Sequence, residues 1–105
     1  MTWVDLFPAA ELRSGMARRV DVAGHRLCVA NCDGEFHVVD DECTHEDYSL
    51  SEGEVIAGFC EIECPKHAST FDLRTGEPTC LPATRPVRVY PCQVEDGTLQ
   101  AEMDD

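Results

Sequence analysis

Cys43-Thr44-His45 and, after 18 intervening residues, Cys64-Pro65-Lys66-His67 are the stretches on which the reading of this 105-residue chain turns. Each sets one thiol and one imidazole within a single tight loop. Together they offer two soft sulfur donors and two borderline nitrogen donors. Four such donors suit a mononuclear zinc tetrahedron. They also suit a two-iron cluster in which both cysteines hold one iron and both histidines the other. A lone Cys-x-His says little, but two matched pairs in a chain with only four histidines point to a metal centre.

The residues around and between the pairs are unusual in charge. From Asp40 to Glu63 there are nine acidic residues (Asp40, Asp41, Glu42, Glu46, Asp47, Glu52, Glu54, Glu61, Glu63) and no Lys or Arg. The bases lie outside: Arg13, Arg18, Arg19 and Arg26 before, Lys66, Arg74, Arg85 and Arg88 after. Over the whole chain 21 acids face 8 bases, a formal charge of −13. A field of that sign repels phosphate backbones and anionic lipid, which argues against nucleic acid and membrane surfaces as partners and favours basic protein patches. An apolar fraction of 43% is ordinary for a globular domain, so the acidity does not signal disorder. No apolar run approaches the ~20 residues that cross a bilayer. The opening Met1-Thr2-Trp3-Val4-Asp5 has neither the positive nor the apolar segment of a secretory signal, so a cytoplasmic location is expected. Seven cysteines is an odd count, which fits metal ligation with surplus thiols better than a disulfide framework.

Further out, Gly, Pro and Asp recur at short intervals and separate β-branched, apolar segments of four to eight residues. Arg18 to Val22 and Arg26 to Asn31 flank Ala23-Gly24-His25, and Glu35 to Val39 follows the Asp33-Gly34 turn signal. Val87 to Tyr90 and Thr98 to Glu102 read as a late pair of strands linked through Asp96-Gly97. Pro8 to Arg13 is the one helix-compatible piece, long enough for a single turn. The expected fold is all-β, one domain over residues 1–105. Its core candidates are Trp3, Val4, Leu27, Val29, Phe36, Val38, Val87, Val89, Val94 and Leu99.

Taken together, the motifs resemble those of Rieske-type [2Fe–2S] ferredoxins, above all the ferredoxin components of bacterial aromatic-ring-hydroxylating dioxygenases. The resemblance runs from Trp3-Val4 to the final strand. It is carried by Cys43-Thr44-His45, Tyr48-Ser49-Leu50-Ser51-Glu52-Gly53 and Cys64-Pro65-Lys66-His67. Beyond them come Phe71-Asp72-Leu73-Arg74-Thr75-Gly76 and the proline loop Leu81-Pro82-Ala83 with Pro86-Val87. It implies the Rieske fold of layered antiparallel sheets, with a small two-loop cluster-binding subdomain at roughly residues 41–83. It also implies one [2Fe–2S] cluster per chain, with Cys43 and Cys64 on the inner iron and His45 and His67 on the outer iron near the surface. The chain departs from the family in a slightly longer gap between the pairs and in Glu46, where members usually have Gly.

The chemistry so implied is one-electron transfer. Two ferric ions, two sulfides and two thiolates sum to zero when oxidised and to −1 when reduced, and imidazole ligands add no charge, which places such centres above all-thiolate clusters in potential. High-potential members have a disulfide between the ligand loops and a Tyr donor after the second pair. Here Phe71 stands at the Tyr position and Ser69 offers one hydroxyl, so a low potential, toward the ~−150 mV end of the range, is expected. The implied partners are an NAD(P)H-dependent flavoprotein reductase and a terminal oxygenase, met by a monomer through the acidic rim. A small Rieske subunit of another redox enzyme, such as a nitrite reductase, and a zinc-stabilised binding module are the competing readings. No catalytic triad, phosphate loop or nicotinamide fingerprint argues for independent catalysis. Cys28, Cys32, Cys60, Cys80 and Cys92 read as small buried hydrophobes, and His25 and His37 as structural or surface residues.

Overall fold

The structure is a computed structural model that describes residues 2–43, 48–56, 58–65, 69–80 and 83–103. Three dipeptides set its main hairpins. Ala23-Gly24, Asp33-Gly34 and Asp96-Gly97 each have positive φ at both residues, the backbone a two-residue type I′ turn demands. The first joins β2 (Ala17–Val22) to β3 (His25–Cys32), the second joins β3 to β4 (Glu35–Asp40), and the third joins β9 (Cys92–Glu95) to β10 (Thr98–Met103).

Among the described residues there are ten strands in three sheets, and every strand pair is antiparallel. With β1 (Thr2–Pro8), β10 and β9 form one three-stranded sheet in the order β1-β10-β9. With β8 (Val89–Tyr90), the two middle hairpins form a four-stranded sheet in the order β2-β3-β4-β8. The third sheet is built from β5 (Glu54–Ile56), β6 (Glu61–Glu63) and β7 (Thr70–Asp72). The helix-compatible piece after Pro8 is a single 3-10 turn at Ala9–Glu11, and a second such turn spans Leu50–Glu52.

Strand β3 is buried on both faces and divides the interior in two. Side chains alternate across a strand, so Leu27 and Val29 join Val38, Tyr90, Leu99, Ala101 and Met103 in one core. Cys28, Ala30 and Cys32 point the other way, into a core shared with Cys43, Cys64, Leu50, Ile62, Phe71 and Leu73. Each fully buried Leu or Phe contributes ~1.5–3 kcal/mol, and the second core spends that on holding the ligand loops against the four-stranded sheet. Cys28 behaves there as a small hydrophobe, since burial pushes its thiol well above the ordinary range.

Several expectations are corrected. Val87 to Tyr90 is not the partner of the last strand. Val87 donates its N–H to Gly76 instead of a ladder, which leaves the two-residue β8 to pair with β4. Pro91 intervenes, and it is Cys92–Glu95 that runs into Asp96-Gly97. Trp3 and Val94 are 40% and 48% exposed rather than core, because they lie on the two edge strands of their sheet. Among the surplus cysteines Cys28, Cys32 and Cys60 are buried as expected, whereas Cys92 is half-buried and Cys80 exposed.

Candidate metal centre

The two ligand loops begin alike. Cys43 follows β4 and donates its N–H to the Tyr48 carbonyl at 2.9 Å; Cys64 follows β6 and donates to the Ser69 carbonyl at 2.7 Å. Each loop is closed by one backbone bond from its cysteine to the fifth residue beyond. Both cysteines are buried, at 1% and 0% exposure, and both belong to the same core. The sequence thus brings both cysteines into one core from loops of equal closure. The other two candidate ligands, His45 and His67, lie outside the described residues, as do Glu46, Lys66, Leu81 and Pro82.

Buried polar groups stiffen these loops. Asp41 is 2% exposed, and a carboxylate so placed costs several kcal/mol unless it is bonded. It accepts the Ser51 N–H at 2.7 Å and the Ser49 hydroxyl, and Arg19 Nε stands 4.0 Å from it. Its own backbone accepts the Leu50 N–H at 2.7 Å and donates to Arg26 at 3.0 Å. The run Ser49-Leu50-Ser51 is therefore clamped to the four-stranded sheet just beyond the first loop. Across the second loop, the fully buried Ser69 accepts the Ala83 N–H on its hydroxyl at 3.2 Å, which ties that loop to the proline loop at Ala83.

Gly53 holds the two loop regions at contact distance. The β5–β6 register pairs Glu54 with Glu63, so one step further Gly53 lies opposite Cys64. A Cβ on Gly53 would stand 1.7 Å from the Glu63 carbonyl oxygen, so the position has no room for a side chain.

The acidic segment does not all face solvent. Asp41 is internal, Asp40 accepts the Tyr90 hydroxyl at 2.6 Å, and Glu42 pairs with Arg26 at 2.6 Å. Glu52 and Glu54 are exposed and Glu63 half-buried, and these three line a groove of about 540 Å³ with Met16 and with Pro65, the neighbour of Cys64. Sequence reasoning counted Asp41 among the rim charges and missed its role as a brace. The Ser at positions 49 and 51, at the spacing of a carboxylate-bonded turn, was the available signal.

The donor set fits an iron–sulfur centre on the sulfur side. Two dry, backbone-fixed thiols entering one core are what a thiolate-bound metal needs, and no disulfide competes for them, all seven cysteines being thiols. Among the described residues a different group of metal-type donors also converges: Glu35, His37 and Cys60, with ligand atoms within 4.8 Å of one another. Burial, with a hydrogen bond that the Cys60 S–H donates to Cys32 in second place, pushes the Cys60 thiol up to about 12. A hydrogen bond from His37, at 2.8 Å, holds the Glu35 carboxyl below its usual range.

Comparison with known proteins fits this geometry. Residues 2–91 match the family model described as the Rieske [2Fe-2S] domain. The 3-phenylpropionate/cinnamic acid dioxygenase ferredoxin subunit of Photorhabdus laumondii is 44% identical over 85% of this chain and 83% of its own length. The ferredoxin of carbazole 1,9a-dioxygenase from Nocardioides aromaticivorans IC177 superposes with a TM-score of 0.92 at 33% identity, covering 96% of this chain and 97% of that one. A chain from a complex of reduced oxygenase and oxidised ferredoxin of carbazole 1,9a-dioxygenase superposes at 0.88 with 34% identity, over 94% and 91% of the two chains.

Proposed function

This chain belongs to the Rieske [2Fe–2S] family and is an electron-carrying ferredoxin of the aromatic-ring dioxygenase type, and we propose that it holds its cluster through Cys43, His45, Cys64 and His67. The observation that carries the ligand assignment is the matched pair of loops, each opening on a buried cysteine of the same core. Residues 41–83 form the cluster-binding part of one domain in this reading. An NAD(P)H-dependent flavoprotein reductase supplies the electron and a terminal oxygenase receives it, in the cytoplasm and from a monomeric carrier. The relatives' names support the oxygenase, since one neighbour is itself a ferredoxin–oxygenase complex.

When bound, a two-iron centre with two imidazole ligands supplies one-electron exchange. The residues of this chain do the rest. Cys43 and Cys64 keep the sulfur ligands out of water, and the Asp41 clamp and the Ser69–Ala83 bond limit how far their loops move when charge changes. Small reorganisation favours fast transfer. Phe71, fully buried, brings no hydroxyl to the core, while Ser69 has a hydroxyl proton left after accepting from Ala83. One donor rather than two supports a potential at the low end of the Rieske range.

Docking falls to the surface beside the loops. Tyr48, 37% exposed at the end of the first loop, provides an aromatic contact, and Glu52, Glu54 and Glu63 provide negative charge beside the second. Such a rim speeds the encounter with basic partner surfaces more than it tightens the final complex. Reductase-driven turnover of the reconstituted oxygenase is therefore expected to fall roughly tenfold as salt rises from about 50 to about 500 mM, where the Debye length shrinks to a few ångströms. Charge reversal at Glu52 and Glu54 together should flatten that dependence. A rate indifferent to salt would rule out steering by this rim.

A further inference from the structure

We propose that Cys32, Glu35, His37 and Cys60 form a second metal site, distinct from the iron–sulfur centre, that takes a thiophilic divalent cation such as zinc. The proposal does not rest on the ligand assignment above and concerns residues outside both ligand loops.

The register of the β3–β4 hairpin puts three of the four on one face. Cys32 lies opposite Glu35 and Ala30 opposite His37, so Cys32, Glu35 and His37 all project toward the core that holds the ligand loops, at its rim. Cys60 comes from the turn between β5 and β6, in the other sheet. The ligand atoms of Glu35, His37 and Cys60 lie within 4.8 Å of one another, and the Cys32 and Cys60 thiols are in hydrogen-bonding reach. With metal–sulfur bonds of ~2.3 Å and metal–nitrogen or –oxygen bonds of ~2.0–2.2 Å, the edges of a tetrahedron are about 3.3–3.8 Å. Closing Glu35, His37 and Cys60 onto an ion therefore takes shifts on the order of 1 Å, and Cys32, outside that group of three but beside Cys60, takes a larger one. Two sulfurs, one imidazole and one carboxylate make a set that selects zinc over magnesium or calcium.

Two further features suit a site. Cys60 has φ of 53°, in the left-handed region, at the last position of the β5–β6 hairpin turn that also holds Gly58. Holding a side chain there costs ~1 kcal/mol or more. Its carbonyl accepts the Leu73 N–H at 2.9 Å, which helps to fix that conformation. Charge is the second feature. Two thiolates and one carboxylate carry −3, a divalent cation leaves −1, and the Arg74 guanidinium, 3.5 Å from Glu35, supplies the remaining +1. A bound ion would clip the β5–β6–β7 sheet, which leads into the second ligand loop, to the edge of the four-stranded sheet.

The test uses the holoprotein with its iron in place. It is equilibrated with zinc sulfate, passed over a chelating resin, and assayed for iron and zinc by mass spectrometry, then by X-ray absorption at the zinc edge, which iron does not obscure. The expected result is about one zinc per chain beside two irons, with two sulfur scatterers near ~2.3 Å and the rest nitrogen or oxygen. Cys60→Ser and Cys32→Ser should each lose the zinc with iron unchanged. His37→Gln, at the less buried rim, should weaken zinc binding at least tenfold, and it keeps the test decisive if a cysteine variant fails to fold. Zinc that is absent after the resin, bound by oxygen alone, gained only as iron is lost, or unaffected by His37→Gln would overturn the assignment.

Discussion

Cys43→Ala and Cys64→Ala proteins are expected to purify colourless, with iron falling from about two atoms per chain to nearly none. Each removes one of the two thiolates proposed for a single iron, and no described cysteine stands ready to replace it. Cys28 and Cys60 share the same core but enter it from β3 and from the β5–β6 turn. Because the ligand loops take their shape partly from the metal, both variants should also lose cooperativity in thermal unfolding. Cys28→Ala is the control for packing alone. It empties a comparable volume in the same core, should cost about 1 kcal/mol, and should keep its colour and its iron. A folded, red-brown Cys43→Ala protein would show the ligand assignment to be wrong.

Gly53→Ala carries the second large effect, and here no ligand is touched. The added methyl meets a backbone carbonyl at 1.7 Å, and that carbonyl belongs to Glu63, next to Cys64. Side chains can rotate away from overpacking, but a strand carbonyl cannot, so the cost should reach or exceed the usual ~1–3 kcal/mol. For a chain of this size about 3 kcal/mol corresponds to a Tm lower by roughly 15 °C. Relief can come only by parting the Gly53 segment from β6, which displaces Cys64, so iron occupancy should fall together with Tm. A Gly53→Ala protein that melts within about 2 °C of the parent would mean that the two segments are not in contact as described.

How much of this was legible beforehand depends on the range of the interaction. The hairpins follow from dipeptides. Ala23-Gly24, Asp33-Gly34 and Asp96-Gly97 announce positive φ locally, and the structure has its type I′ turns there. The thiols proposed for the centre were legible as candidates because Cys-x-His and Cys-x-x-His place their donors within one loop. The β5–β6–β7 sheet was not, since strands of three residues in an acid-rich stretch show neither length nor alternation enough to stand out. Asp41 shows the same limit. Its charge looks like that of its eight acidic companions, and only Ser49, Ser51 and Arg19 folded around it make it internal. Cys32 reads as a small buried hydrophobe and His37 as a structural or surface residue because Cys60, which the fold brings beside them, arrives from the β5–β6 turn of another sheet.

The central claim is a [2Fe–2S] centre with mixed sulfur and nitrogen ligation, and an electron paramagnetic resonance titration of the reduced protein tests it most directly, read beside iron content. The account predicts two irons per chain and a rhombic signal whose average g lies clearly below that of all-cysteine clusters. That signal should appear on reduction with a midpoint below zero, toward ~−150 mV. An axial or rhombic signal with the higher average g of four-thiolate ligation, or a silent protein without iron, would contradict it.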